Sequence, residues 1–178
     1  MSTAKDRRAQ FESLVEEVYD PLQRYLRRRA NATDAEDALS ETMLTLWRRL
    51  DDAPTSDALP WCYGVARRVL ANQRRGRDRN LRLLRRIEAE PGPRFITDPA
   101  DAGPDPELSA ALASVSPADQ EILRLWAWEQ LEPRELGPVL GLSVNAATIR
   151  LSRARARLAK ALARQDQAPA GHKPGQGT

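Results

Sequence analysis

The chain has 178 residues, room for one or two domains, and sets 28 Lys and Arg against 25 Asp and Glu for a formal charge of only +3. A single cysteine, Cys62, and a single histidine, His172, leave no disulfide framework, no Cys- or His-based metal site and no triad, and suit a reducing, cytoplasmic setting. No apolar run nears the about 18 residues of a membrane span, and no secretory h-region opens the chain.

The distribution of charge says more than its sum. Nine Arg and one acid, Asp78, fall between Arg67 and Arg86, and five Arg, one Lys and no acid between Arg150 and Arg164. Between these blocks, from Ile87 to Glu121, eight acids face one base, Arg94. Clustered cations of this kind are the footprint of a polyanion partner. A solvated helix face gives the same pattern, and a GC-rich genome also raises Arg over Lys.

In chain order the pattern is helical throughout, with no segment of strict period-2 alternation. Phe11, Leu14, Val15, Val18, Leu22, Tyr25 and Leu26 recur at helical spacing, with Pro21 as a point of bending. Residues 31–33 read as a turn, and Thr33 or Asp34 as the cap of a second helix whose stripe is Leu39, Met43, Leu46, Trp47 and Leu50. Residues 51–60 read as a loop. Pro60 then opens a helix with Trp61, Val65 and Val69 on one face, and Cys62 as a small packed residue. "AEPGPRFITDPADAGPDPE" (89–107) holds five Pro and two Gly and reads as an extended linker. Beyond it, Ser116 caps a helix that starts at Pro117, with Ile122, Leu123, Leu125 and Trp126 as its apolar face.

"LGLSVNAATIRLSRARARLAKAL" (140–162) joins a Gly turn at Gly141 to a helix capped by Ser143. Helix, short turn and capped helix make a helix-turn-helix, whose second helix enters the DNA major groove. Ala147, Leu151, Ala154 and Leu158 form its inward stripe. Asn145, Thr148, Ile149 and Ser152 then face outward, with Arg150, Arg153, Arg155 and Arg157 around and beyond them. Amide, hydroxyl and methyl groups read base edges, and Arg pairs with phosphate or guanine.

At these residues the chain resembles a sigma factor of the sigma-70 family, in the small extracytoplasmic-function (ECF) group, over roughly residues 10–163. "SPADQEILRLWAWEQLEPRELGPVLGLSVNAATIRLSRARARL" is similar to the family's region 4. "FESLVEEVYDPLQRYLRRR", "DAEDALSETMLTLWRRL" and "PWCYGVARRVLANQRR" are similar to regions 2.1 to 2.4.

The resemblance implies an all-α protein of two small helical domains: a region 2 bundle (8–80) and a region 4 helix-turn-helix (107–164). They would be joined by a flexible acidic, Pro-rich linker (81–106) and followed by a disordered tail (165–178). It implies core RNA polymerase contact through Asp37, Leu39, Ser40, Glu41 and Leu46, with Trp47 in the core. The −10 element would fall to Trp61, Arg67, Arg68, Asn72, Arg74 and Arg75, with residues 51–60 as the loop that captures an unstacked base. The −35 element would fall to Ser143, Asn145, Thr148, Ile149, Arg150, Ser152, Arg153 and Arg155. Thr148 and Ile149 depart from the family's pattern, which has a basic and a small polar residue there. Arg68 stands where the family often has Asn.

The expected partners are core RNA polymerase, promoter DNA and an anti-sigma factor, with no small-molecule substrate, no cofactor and no membrane insertion. The linker's acids are open to two readings, a nucleic-acid mimic in the polymerase channels or simple solubilising composition. A stand-alone helix-turn-helix regulator is the alternative function. An interaction adaptor would have no use for two Arg-rich blocks, and no nucleophile, metal or phosphate-loop constellation speaks for an enzyme.

Overall fold

The computed structural model describes residues 4–87 and 105–166. Seven α-helices make up the described residues, with one 3-10 turn at Leu50–Asp52: α1 (Ala4–Arg27), α2 (Ala32–Arg48), α3 (Ala58–Ile87), α4 (Pro106–Ser114), α5 (Pro117–Ala127), α6 (Pro133–Leu140) and α7 (Val144–Asp166). Among the described residues there is no strand, and no helix is long and apolar enough to cross a membrane.

The N-terminal half is a three-helix unit. Leu14, Val18, Leu22, Tyr25 and Leu26 bury one stripe of α1, and Pro21 lies inside α1 without ending it. Asn31, not Thr33 or Asp34, caps α2: its Oδ1 accepts the Asp34 N–H at 3.0 Å, and its Nδ2 donates to Asp34 Oδ2 at 2.9 Å. Asn ranks among the best N-caps, so the helix starts earlier than expected and absorbs residues 32–33 of the anticipated turn. Trp47 is half-buried, edge-on to Phe11 with ring centroids 5.2 Å apart. Cys62 is fully buried, which pushes its thiol up to about 12. α3 runs on to Ile87, so the connector begins later than residue 81; Leu and Arg from 81 to 86 are strong helix formers. The acidic stretch 88–104 and the tail from 167 onward lie outside the described residues, while Gln165 and Asp166 still belong to α7.

The C-terminal half begins with α4, which the sequence pattern did not disclose. Asp105 caps it, its Oδ1 accepting from the Glu107 and Leu108 N–H groups. Ser116 caps α5 by accepting the Asp119 N–H at 3.2 Å, with Pro117 at the first helical position, as expected. α6 ends at Gly141, whose φ of 68° is the left-handed conformation that glycine adopts without a Cβ penalty. The turn is tight: a Cβ on Gly137 would stand 2.9 Å from the Leu142 carbonyl oxygen.

The two halves share one continuous apolar core. α6 lies on α3 where Gly64 admits it, an added Cβ there being 3.6 Å from Val139 Cα. Beside that contact, Arg28 and Arg29 at the end of α1 meet acids of the second half. Arg29 reaches Glu121 at 3.2 Å and Glu129 at 3.0 Å, Arg28 reaches Glu129 at 3.1 Å, and the Tyr25 hydroxyl donates to Glu121 at 3.1 Å. The Arg29 and Glu129 side chains are each only 3% exposed. Burial works against the Arg29 charge, but Glu121, Tyr25 and Glu129 outweigh it, so the guanidinium is held charged more firmly than usual. It also lies over the Tyr25 ring at 3.7 Å.

Candidate nucleic-acid and partner interface

Three surfaces carry the residues singled out in the sequence. The first is the outer face of α7. Ser143 Oγ accepts the Ala146 N–H at 3.1 Å and starts the helix. Ala147, Leu151 and Ala154 are buried and Leu158 packs against the same core, so the inward stripe is as expected. With that stripe fixed, Asn145, Thr148, Ile149, Arg150, Ser152, Arg153 and Arg155 are all exposed on the other side.

Two details of this surface differ from expectation. Arg157 turns back to Asp119 at 2.7 Å, because α5 buries that carboxylate (its side chain is 6% exposed) and a buried charge needs a partner. Trp126 is not part of the apolar face of α5. It stands exposed, with the Arg155 guanidinium 4.7 Å from its ring centroid. Ile122, Leu123 and Leu125 alone bury that face.

The second surface is an open groove of about 730 Å³ between α2 and α3. Asp37, Ser40, Glu41, Leu44, Thr45 and Arg49 form one wall; Val65, Arg68, Val69, Asn72 and Gln73 form the other. Asp37, Ser40 and Glu41 are exposed, as a partner contact requires. Leu39 and Leu46 are not: they are 7% and 0% exposed and belong to the core, so neither offers a surface to a partner. The apolar group at that face is Leu44, 43% exposed. It lies seven, four and three residues beyond Asp37, Ser40 and Glu41, on the same helical stripe. Gln73 was also missed; its Oε1 is buried without a hydrogen-bond partner among the described residues.

The third surface is α3 itself, and it is two faces rather than one. Arg68, Asn72 and Arg75 lie toward the α2 side, with Arg68 and Asn72 in the groove wall. Arg67 and Arg74, seven residues apart, lie toward the seam between the halves. Arg67 is half-buried, its charge acting on the Tyr25 phenol, and Arg74 donates to the Arg29 carbonyl at 2.5 Å. Much of the remaining basicity is taken up locally: Arg75 donates to Asn72 Oδ1, and Arg77 forms a two-pronged pair with Asp34. Trp61 is half-buried, with Arg49 at 5.8 Å from its ring. Just before α3, Asp57 adopts φ 58°, a left-handed backbone that Asp enters more readily than most residues. No cluster of His, Cys, Asp and Glu fit for a metal occurs among the described residues.

Comparison with known proteins follows this geometry. Residues 14–80, spanning α1 to α3, match the model of sigma-70 region 2. The RNA polymerase sigma-E factor of Streptomyces coelicolor is 28% identical over 166 residues, covering 88% of each chain. Among solved structures, the sigma factor RpoE of Bartonella quintana, in complex with the anti-sigma factor NepR, superposes with a TM-score of 0.64 at 21% identity, over 86% of this chain and 96% of that one. CnrH, in complex with the cytosolic domain of CnrY, gives 0.59 at 24% identity over 86% and 88%.

Proposed function

We infer that this chain, a member of the sigma-70 family in its extracytoplasmic-function group, is an alternative sigma factor that binds core RNA polymerase and directs initiation at promoters with −35 and −10 elements. The carrying observation is the pairing of a region 2 match over residues 14–80 with a capped helix-turn-helix whose second helix leaves its outer face open. Such a factor binds and positions; the polymerase supplies the chemistry. It works in the cytoplasm, where both partners are.

In this reading the groove wall of Asp37, Ser40, Glu41 and Leu44 meets the polymerase. Arg68, Asn72 and Arg75 approach the −10 strand from the other wall, with Trp61 and residues 51–60 beside them for an unstacked base. Arg67 and Arg74 join that DNA face only where the seam loosens. α7 presents Asn145, Thr148, Ile149, Arg150, Ser152 and Arg153 to the −35 duplex. Ser143 serves as the helix cap, and Arg155 braces Trp126 at the edge of the same face. RpoE was solved with an anti-sigma factor, and a separate protein of that kind, covering the polymerase-facing groove, would control this chain too.

Run-off transcription with purified core polymerase tests the reading. The chain should co-elute with the core and confer initiation on a subset of promoters. Tight sequence-specific duplex binding by the chain alone, with no core association, would favour the stand-alone regulator instead.

A further inference from the structure

We propose that the first turns of α7 read A·T base pairs, with Asn145 on adenine and the alkyl groups of Ile149 and Val144 on thymine C5-methyls. The proposal rests on the promoter-reading role of α7 given above and specifies its chemistry.

The argument starts from what the polar groups at the tip of α7 are already doing. Ser143 Oγ is occupied by the Ala146 N–H. The Thr148 hydroxyl donates to the Val144 carbonyl at 2.9 Å, so its proton is not offered outward. From residue 143 to 149 that leaves the Asn145 amide as the one side chain with both donor and acceptor uncommitted.

The rest of the tip is hydrocarbon. Val144 is 51% exposed and Ile149 is 43% exposed. Neither has a partner in the core, although Ala147 and Leu151, on the same turns, do. An exposed apolar pair also fits a protein partner, but its setting points elsewhere. Arg150 and Arg153 adjoin Ile149, and α7 contains no acid before Asp166, so the face suits a polyanion.

Within a major groove, the hydrocarbon and the amide have matching targets. Thymine carries the one methyl group in the groove, and Asn pairs in bidentate fashion with adenine N6 and N7. Both features lie on the edge of an A·T pair. Asn145 and Ile149 are four residues apart and share one helix face, the spacing at which one side chain takes the purine and the other a methyl on the same or the next pair. Guanine, read mainly by Arg, finds no Arg in the first turn; Arg150 and Arg153 come later along the helix, where phosphates suffice as targets.

The test uses the full chain assembled with core RNA polymerase. Promoter duplexes with a randomised upstream window are selected by the complex, and the enriched windows are resynthesised with uracil in place of thymine, which removes only the methyl. The expected result is enrichment of A·T pairs and a roughly fourfold loss of affinity for each contacted methyl, the factor carried by one buried methyl group. Ile149→Ala should narrow the gap between the thymine and uracil duplexes, leaving the part that Val144 carries, while Asn145→Ala should relax the preference for adenine. Both positions are exposed, so circular dichroism should show unchanged helicity.

An enriched window that is rich in G·C, or that binds equally well with uracil, overturns the assignment while leaving the sigma-factor reading intact. If no window is enriched at all, the promoter-reading role of α7 falls, and this proposal falls with it.

Discussion

α3 and α7 are both long, both rich in arginine, and they handle that charge in opposite ways. On α3, Arg74 is tied to the Arg29 carbonyl, Arg75 to Asn72 and Arg77 to Asp34. Among the described residues, only Arg157 on α7 is bound to an acid, Asp119, while Arg150 and Arg153 are exposed and take part in no ion pair. A run of arginines in a sequence is therefore not one feature. Where acids and carbonyls of neighbouring helices come within reach, the guanidiniums become part of the fold. Where the neighbouring face is apolar and small, as under Ala147 and Ala154, they stay available to a partner.

This contrast predicts that losses among committed charges appear in folding and losses among open ones appear in binding. The largest effect should come from Glu129→Ala, which strips a buried counter-ion from Arg29 and Arg28. Breaking a buried pair from one side costs about 3–5 kcal/mol, to be read from urea unfolding; a loss under about 1 kcal/mol would mean that water replaces the carboxylate and that the seam is looser than described.

Next come Arg150→Ala and Arg153→Ala. Each should lower promoter affinity of the polymerase complex by about 1–3 kcal/mol for a base contact. For a phosphate contact, each should instead flatten the salt dependence by about one unit, independent of −35 sequence. Stability should stay within about 0.5 kcal/mol, and a melting point that drops with binding would break the distinction between the two helices.

Arg157→Ala tests the exception on α7. It should cost about 1–2 kcal/mol of stability, since Asp119 is left buried with only its half-exposed partner removed, and promoter affinity measured on the folded fraction should hold. The smallest effect is expected of Arg77→Ala. Its pair with Asp34 is partly solvated, the two side chains being 44% and 16% exposed, so thermal unfolding should register below about 1 kcal/mol.

What the sequence disclosed follows a physical line. The inward stripe of α7, the caps at Ser116 and Ser143 and the left-handed Gly141 are local features, set by residues within a few positions of one another, and they were readable. The seam was not. Tyr25, Arg28 and Arg29 find Glu121 and Glu129 roughly a hundred positions away, and no local pattern distinguishes those acids from solvated ones.

α2 lies between these cases. Periodicity put Leu39 and Leu46 on its apolar stripe, where they lie buried, whereas the family resemblance put them at a polymerase contact, for which a core side chain has no surface to offer. Leu44 could have been found, because it continues the stripe of Asp37, Ser40 and Glu41. α4 was hidden by its length and by the prolines before it.

The outer face of α7 has a consequence for how such proteins diversify. Among the described residues, Asn145, Ile149, Arg150 and Arg153 are exposed and support nothing in the core, whereas the residues holding the helix in place sit on its opposite side. Exchanges on the outer face should therefore be nearly neutral for folding, and under the proposed −35 role each would sample a new DNA preference on an unchanged scaffold. Gene duplication followed by a few such exchanges would yield sister factors that share one fold and answer to separate sets of promoters.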